Sequence, residues 1–255
     1  MKVVILAGGL GTRIAEESHL RPKPMIEIGG RPILWHIMKY YSGFGLNDFI
    51  ICLGYKGYIV KEFFANYVLH SSDLSVDLAN NSLTYHNQRS EDWKVTLVDT
   101  GESTLTGGRV KRIAKYLDDE PFCLTYGDGL SNVDISAQIE AHKASGLLAT
   151  MTIVRPPARY GSSRVENGRV IEFVEKPQAS EGLINGGFFV MNPAALQYIE
   201  GDDTPLEADP LEKLAANEQL GAWEHRGFWQ AMDTLREKNL LEDMWAKGEA
   251  PWKNW

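Results

Sequence analysis

Short continuous runs of aliphatic and β-branched residues alternate along the chain with segments whose apolar residues recur at helical spacing. Residues 2–6, 49–53 and 122–126 are such runs, which are typical of strands buried on both faces of a parallel sheet. Between the first two, the apolar spacing predicts a helix that begins near Pro32 and ends before Gly43. This alternation predicts an α/β fold of the Rossmann-like, doubly wound type, with a mostly parallel mixed sheet.

The same patterns continue to the end of the chain. Further helices are predicted over about 57–69, 104–117 and 134–145, around 211–215, and from Asp233 through 240–245. Further strands are predicted over 148–154, 163–166, 170–174, 184–191 and 222–225. A chain of 255 residues that is 44% hydrophobic can bury one large core, so we expect a single domain over residues 1–255.

Residues 73–98 interrupt this rhythm. Residues 74–78 and 94–98 alternate apolar and polar side chains, which predicts a small antiparallel excursion or a sheet edge. The polar stretch 80–92 between them is long for a simple connection. It is either a lid, a subunit contact or a solvated surface loop, and the sequence does not choose between these.

The first predicted strand leads into Gly-Gly-Leu-Gly-Thr-Arg at residues 8–13. Its glycines let a ligand approach the backbone closely, and the guanidinium of Arg13 suits phosphate oxygens. Lys23 adds a second cation within a stiff Pro-Lys-Pro segment. Ile14 argues against a dinucleotide fingerprint, and no Gly-Lys-Ser/Thr tripeptide completes a Walker A loop. The segment therefore predicts a polyphosphate-binding cradle at the carboxyl end of the first strand.

Two aspartates stand alone at the ends of predicted strands. Asp128 lies between two glycines directly after the strand 122–126, and Asp233 follows the segment 227–232. Two carboxylates from distant segments can hold one Mg²⁺ that also takes phosphate oxygens. The simpler alternatives are a turn for Asp128 and a helix N-cap for Asp233.

Composition and charge limit the classes of binding partner and the cellular compartment that we expect for this protein. A formal net charge of −8 argues against nucleic acid or an anionic membrane as the main partner. The apolar start breaks at glycines, which is unlike a signal peptide, and no segment approaches membrane-spanning length. Both cysteines, Cys52 and Cys123, lie in strand-like apolar runs. These features favour a cytoplasmic protein whose two thiols pack as small hydrophobic groups.

The chain resembles the sugar-1-phosphate nucleotidylyltransferases, and among them the members that use CTP and glucose 1-phosphate. The resemblance covers nearly the whole chain, with motifs in the family order at 8–13, 24–30, 32–38, 54–57, 98–101, 126–129, 175–177, 185–189, 227–230 and 232–234. One departure is Arg21, where the family pattern has lysine, and the positive charge is retained.

The resemblance implies direct transfer of CMP from CTP to α-D-glucose 1-phosphate, with Mg²⁺ on Asp128 and Asp233. The implied catalytic residues are Arg13, Lys23, Asp128 and Lys176. The implied nucleotide-binding residues are Leu6, Ala7, Gly8, Gly9, Leu10, Gly11, Thr12, Arg13, Lys23, Thr104, Arg109 and Gly127. The implied sugar-phosphate residues are Tyr160, Gly161, Glu175, Lys176, Asn185 and Gly186. The resemblance also implies a homo-oligomer, a hexamer.

Simpler interpretations stay open for several of these residues. Thr104 and Arg109 are also compatible with an ordinary helix cap and a surface arginine, and Glu175 with Lys176 is also compatible with an exposed ion pair. Two other functions remain: the same chemistry with UTP, dTTP or GTP, and a non-catalytic sugar-nucleotide sensor. The base-reading segment would decide the first, and pyrophosphate release would exclude the second.

Overall fold

The computed structural model of the protein describes residues 1–14, 19–87, 90–156, 162–166, 168–174 and 182–255, with the backbone alone for Arg13, 162–166 and 172–174. The strands are β1 Val3–Ala7, β2 Glu27–Ile28, β3 Arg31–Pro32, β4 Asp48–Leu53, β5 Asp73–Asp77, β6 Ser82–His86, β7 Lys94–Asp99, β8 Phe122–Tyr126, β9 Gly129–Ser131, β10 Ala149–Val154, β11 Ser162–Glu166, β12 Arg169–Val174, β13 Ile184–Met191, β14 Leu220–His225 and β15 Trp229–Ala231. The α-helices are α1 Ile33–Ser42, α2 Gly57–Ala65, α3 Tyr67–Ser71, α4 Thr106–Arg112, α5 Ile135–Ser145, α6 Asp209–Ala216 and α7 Leu235–Ala246. Short 3-10 helices cover Thr12–Ile14, Lys23–Met25, Ala114–Tyr116 and Pro193–Tyr198.

A seven-stranded sheet forms the centre of the described structure, in the order β14-β10-β13-β8-β1-β4-β7. Its strands run parallel except β13, which is antiparallel to both of its neighbours. From β1 the chain moves first to one side, to β4 and β7, and then to the other side, to β8. The sheet therefore has a topological switch point between β1 and β8, where open α/β sheets bind ligands.

The two faces of the sheet bury separate hydrophobic clusters. Val3 and Ile5 of β1 belong to the cluster that includes α1 and α7, whereas Val4 and Leu6 belong to the cluster that includes α4 and α6. All five residues of β1 are buried because helices cover both faces. The predicted doubly wound, mostly parallel fold is confirmed.

Helix ends follow local chemistry in most places. Helix α1 begins directly after Pro32 and ends at Gly43, as predicted. The helix predicted over 57–69 is instead two helices, α2 and α3, separated at Asn66. The backbone N–H and the side-chain amide of Asn66 both donate to the carbonyl of Glu62, at 3.0 and 2.9 Å.

The structure confirms the antiparallel excursion or sheet edge predicted for residues 73–98, since it contains both. Strand β7 lies at the edge of the central sheet, parallel to β4. Strand β5 pairs antiparallel with β6, a strand that was not predicted because it lies inside the polar stretch 80–92. The turn between β5 and β6 is closed by Asp77, whose carboxylate accepts from the backbone N–H groups of Ala79 and Asn80.

The aromatic C-terminal tail packs on the chain itself. Trp252 is fully buried and lies against the rings of His36, Trp245 and Phe228. Trp255, at the end of the tail, contacts Trp35 and keeps 37% of its surface exposed. Within the described residues, no helix is both long enough and apolar enough to cross a membrane.

Candidate active site

A first cleft of about 340 Å³ opens at the carboxyl ends of β1 and β8, beside the switch point of the sheet. Most of the predicted nucleotide-binding residues line it, namely Leu6, Ala7, Gly8, Gly9, Gly11, Thr12, Lys23, Thr104, Arg109 and Gly127. Gly127 is needed for packing, since a β-carbon there would lie 2.9 Å from the carbonyl oxygen of Leu6. Four of the residues that line the first cleft are glycines, which let a phosphate group approach the backbone closely.

Arg109 fixes one wall of the first cleft. Its guanidinium donates to the carbonyl oxygens of Gly8, Leu53 and Gly101 at 3.1, 3.0 and 2.7 Å, and it also reaches Glu102. Only 4% of the residue is exposed, so the surface-arginine alternative is wrong. Burial lowers the pKa of Arg109. The Arg109 side chain therefore holds together the loops that follow β1, β4 and β7.

The small residues beside Arg109 are required by this arrangement. A β-carbon on Gly8 or on Gly54 would collide with the guanidinium. The carbonyl of Gly8 also accepts from the backbone N–H of Tyr55 at 3.3 Å. The start of the glycine-rich loop, at Gly8, is consequently held by Arg109 and by the loop after β4.

A cluster of Lys23, Asp128 and Asp233 lies at the edge of the first cleft. The ammonium group of Lys23 donates to Oδ2 of Asp128 at 2.5 Å and to Oδ1 of Asp233 at 2.7 Å. Burial by itself lowers the pKa of Lys23, but the two carboxylates, Asp128 foremost, more than offset this and leave the pKa raised. The two aspartates predicted as one metal site are therefore brought together, 105 positions apart in the sequence.

The backbone explains why these two acids meet. Strands β9 and β15 form a short antiparallel ladder in which Ala231 pairs with Gly129. The carbonyl of Asp128 then accepts from the backbone N–H of Met232 at 2.8 Å. Asp233 lies one residue before Thr234, the N-cap of α7. Asp233 is thus adjacent to the cap rather than being the cap itself.

A second cleft of about 350 Å³ lies on the other side of Asp128. Asp128 and Tyr126 line both clefts, while Asn185, Gly186, Glu207, Trp229 and Asp233 line the second. The indole N–H of Trp229 donates to the carbonyl of Gly186 at 2.7 Å, which joins β15 to β13. The Lys23, Asp128 and Asp233 cluster therefore lies where the two clefts meet.

Several predicted site residues either do not line the clefts or lie outside the described residues. Leu10 is 53% exposed and is not among the residues that line the first cleft. Tyr160, Gly161, Glu175 and Lys176 lie outside the described residues, as does the side chain of Arg13.

Sequence reasoning assigned no role to Tyr126, Thr106 or Glu207, although all three line the clefts. Tyr126 could have been noticed because it ends the strand that delivers Asp128. Nothing in the sequence around Glu207 marks it, since it reaches the site only through the fold.

Both cysteines are buried and free, as predicted from their apolar runs. Burial raises the pKa of the Cys52 thiol to about 12, and the pKa of Cys123 likewise to about 12. Neither thiol lines either cleft. A thiol with so high a pKa is a poor nucleophile at neutral pH.

Comparison with known proteins identifies the family of the chain. Residues 2–234 match the family model described as Nucleotidyl transferase. The chain is 57% identical to the glucose-1-phosphate cytidylyltransferase of Salmonella typhi and 45% identical to the probable glucose-1-phosphate cytidylyltransferase of Bacillus subtilis, over all of both chains in each case. The crystal structure of HddC from Yersinia pseudotuberculosis superimposes with a TM-score of 0.70 at 25% identity, covering 96% of this chain and 99% of that one. The chain belongs to the nucleotidyl transferase family.

Proposed function

We propose that this protein transfers CMP from CTP to α-D-glucose 1-phosphate, giving CDP-glucose and pyrophosphate. The full-length similarity to proteins named for that activity supports the substrates. The observation that carries the proposal is the cluster of Lys23, Asp128 and Asp233 at the junction of the two clefts. A transfer between two substrates needs its charged groups where the substrates meet.

The reaction is a direct displacement at phosphorus. A phosphate oxygen of glucose 1-phosphate forms a bond to the α-phosphorus of CTP, and the bond from that phosphorus to the bridging oxygen of pyrophosphate breaks. The electron pair leaves with pyrophosphate. Catalysis by this route consists of positioning and charge stabilisation.

The first cleft takes the nucleotide in this proposal. The backbone of residues 8–12 holds the phosphates, and Arg13 stabilises the departing pyrophosphate. Thr104 lies on the side of the first cleft that would bind the base of the nucleotide. The donors of Arg109 are occupied by carbonyl groups, so it contributes to base reading through the loops that it fixes.

The second cleft takes glucose 1-phosphate. Asn185 and Gly186 line it, and Tyr160, Gly161 and Glu175 complete the sugar site by their place in the family motifs. Lys176 and Lys23 neutralise the phosphate of the attacking substrate. The proposed active site therefore combines two clefts that share Asp128 as a common wall.

The chemistry of the cluster fits a divalent cation. Asp128 and Asp233 offer two hard oxygen ligands within reach of one cation, and a lysine ammonium bridges them. No group of three or more acidic, histidine or cysteine side chains among the described residues forms a metal cage. This matches Mg²⁺, which binds through one or two carboxylates together with substrate phosphates. When bound, Mg²⁺ would supply charge stabilisation to the phosphates.

Replacement of Lys23 tests this arrangement. Lys23→Met keeps the length of the side chain but leaves two carboxylates together without their ammonium group. Loss of one such charge should reduce kcat by about a hundredfold or more. The measurement is CDP-glucose formation by mass spectrometry, with Lys213→Met as the control because Lys213 forms only exposed ion pairs. Near-normal turnover by Lys23→Met would refute the role of the cluster.

We also propose that the protein is a homo-oligomer, a hexamer. Strands β5 and β6 form an isolated two-stranded hairpin, and such hairpins are marginally stable alone. On one of its faces Leu74 pairs with Tyr85 and Val76 with Leu83, and Val76 and Leu83 are each at least half exposed. A second copy of the chain covering this face would bury these side chains.

Light scattering tests the assembly. Val76→Lys should shift the protein towards smaller species, because it places a charge in the proposed contact. Thr84→Lys is the matched control, since Thr84 pairs with Ser75 on the opposite face of the hairpin. A wild-type protein that is a stable monomer at working concentration would remove this proposal.

A further inference from the structure

The wall shared by the two clefts contains a chain of hydrogen bonds outside the proposed reaction centre. The hydroxyl of Tyr126 donates to Oε1 of Glu207 at 2.6 Å, and the side-chain amide of Asn185 donates to the Tyr126 oxygen at 3.3 Å. The other oxygen of Glu207 accepts from the hydroxyl of Thr106 at 2.6 Å. These hydrogen bonds thus link α4, which borders the first cleft, to β13, which borders the second cleft.

The carboxylate of Glu207 determines which group donates and which accepts in each of these hydrogen bonds. An ionised carboxylate only accepts, so the protons of both hydroxyls must point towards Glu207. The oxygen of Tyr126 is then left as an acceptor for Asn185. The carbonyl oxygen of Asn185 in turn accepts from the backbone N–H of Gly187 at 2.8 Å. Asn185 therefore has its amide orientation fixed from both ends.

Glu207 differs from the other acids of the second cleft. Asp128 and Asp233 pair with Lys23, whereas Glu207 forms no ion pair with a lysine, arginine or histidine in the part of the chain that the structure describes. Its two partners are neutral hydroxyls. A carboxylate offers about four lone-pair positions, so Glu207 keeps acceptor capacity beyond these two bonds.

We propose that Glu207 is a specificity-determining residue for the sugar. It accepts hydrogen bonds from sugar hydroxyls in the second cleft, and through Tyr126 it orients Asn185 for the same ligand. A polyhydroxylated ligand presents donors in a fixed pattern, and a site built to accept those donors discriminates strongly against analogues that lack one. This inference rests on the proposed function, because it takes the second cleft as the sugar-phosphate site.

Glu207→Gln tests the inference with almost no change in shape. A glutamine can both donate and accept, so the directions in the chain are no longer enforced. Pyrophosphate release is measured at saturating CTP with α-D-glucose 1-phosphate and with its 2-, 3-, 4- and 6-deoxy analogues, and at saturating α-D-glucose 1-phosphate with varied CTP. The control is Glu200→Gln, because Glu200 pairs with Lys213 away from both clefts.

We expect the KM for glucose 1-phosphate to rise about tenfold in Glu207→Gln, as for loss of a hydrogen bond to a charged group, while the KM for CTP changes little. At least one deoxy analogue that the wild type disfavours should lose that penalty in the variant. An unchanged KM for glucose 1-phosphate, or the same penalty for every analogue in both proteins, would overturn the inference.

Two further results separate the possible failures. Urea denaturation shows whether Glu207→Gln is folded. If it is not, Tyr126→Phe removes the same hydrogen bond to Glu207. Tyr126→Phe should then raise the KM for the sugar phosphate more than the KM for CTP. Equal effects on both substrates would count against the inference. A wild type that releases no pyrophosphate with glucose 1-phosphate would instead refute the proposed function itself.

Discussion

The guanidinium of Arg109 is buried against carbonyl oxygens from three loops, and it forms no ion pair with a carboxylate among the described residues. The family resemblance marked Arg109 as a nucleotide-binding residue. It could not reveal the acceptors, since Gly8, Leu53 and Gly101 come from distant segments. Backbone carbonyls carry no sequence signal of their own.

Replacing Arg109 should therefore destabilise the protein as well as the first cleft. Arg109→Met leaves several buried carbonyl groups without donors and should lower the free energy of unfolding by about 3 kcal/mol. Arg112→Met on the same helix is the control, because its exposed pair with Asp202 contributes about 1 kcal/mol or less. Urea denaturation compares the two, and equal losses would contradict the bracing role of Arg109.

The two aspartates show what residue patterns can and cannot predict. Asp128 and Asp233 each end a strand-like segment, and that placement together with the family resemblance predicted that they meet. The ammonium group between them was not predictable, because Lys23 was assigned to phosphate only. Its position depends on the packing of the 3-10 turn Lys23–Met25, whose Pro24 lies close to Gly127 just after β8, and this packing is a tertiary property.

Elements with strong end signals were predicted well, and the weakly marked ones were not. Pro32 and Gly43 bound α1 as expected, and Asp134 caps α5 by accepting from Ala137 at 2.9 Å. Strand β6 was missed because it is short and lies within a polar stretch, and all five of its residues are exposed although Leu83 and Tyr85 alternate with polar residues. The register of β5 against β6 is set by the turn after Asp77, not by burial.

Helix α7 links local capping to the proposed metal site. Thr234 and Glu237 form a capping box, and the carboxylate of Glu237 also accepts from the backbone N–H of Asp233 at 2.7 Å. Thr234→Ala should cost about 1 kcal/mol of stability. Because the cap fixes the residue after Asp233, the variant should also require more Mg²⁺ for half-maximal activity.

Asp134→Ala is the matched control for this prediction. It removes the N-cap of α5, which lines neither cleft, and should cost a similar amount of stability. Urea denaturation and Mg²⁺ titration of activity measure the two effects separately. A Mg²⁺ requirement that shifts equally in both variants would show that the effect is one of general stability.

The C-terminal tail packs against the rest of the chain around the fully buried side chain of His36. The Nε2–H of His36 donates to the carbonyl of Ile28 at 2.8 Å, and Nδ1 accepts from the indole N–H of Trp252 at 3.3 Å. The contact with Trp252 requires the neutral ring, because a protonated Nδ1 cannot accept a hydrogen bond. The place of this aromatic tail beside α1 depends on the packing of helices far apart in sequence.

Tail packing should make stability depend on pH. Burial lowers the pKa of His36 from 6.5 to about 4, so its contribution is complete above pH 6.5 and is lost as the pH falls towards 4. The full loss corresponds to about 3 kcal/mol. Urea denaturation followed by tryptophan fluorescence between pH 4.5 and 8 measures it. His36→Gln should flatten this part of the profile, and an unchanged slope would contradict the assignment.

The most direct test of the account is pyrophosphate release with α-D-glucose 1-phosphate and Mg²⁺, comparing CTP, UTP, dTTP, ATP and GTP in parallel. The account predicts a strong preference for CTP. Preference for another nucleotide would contradict the proposed donor while leaving the family chemistry in place. No pyrophosphate with any of the five would contradict the proposed function and favour a sugar-nucleotide sensor.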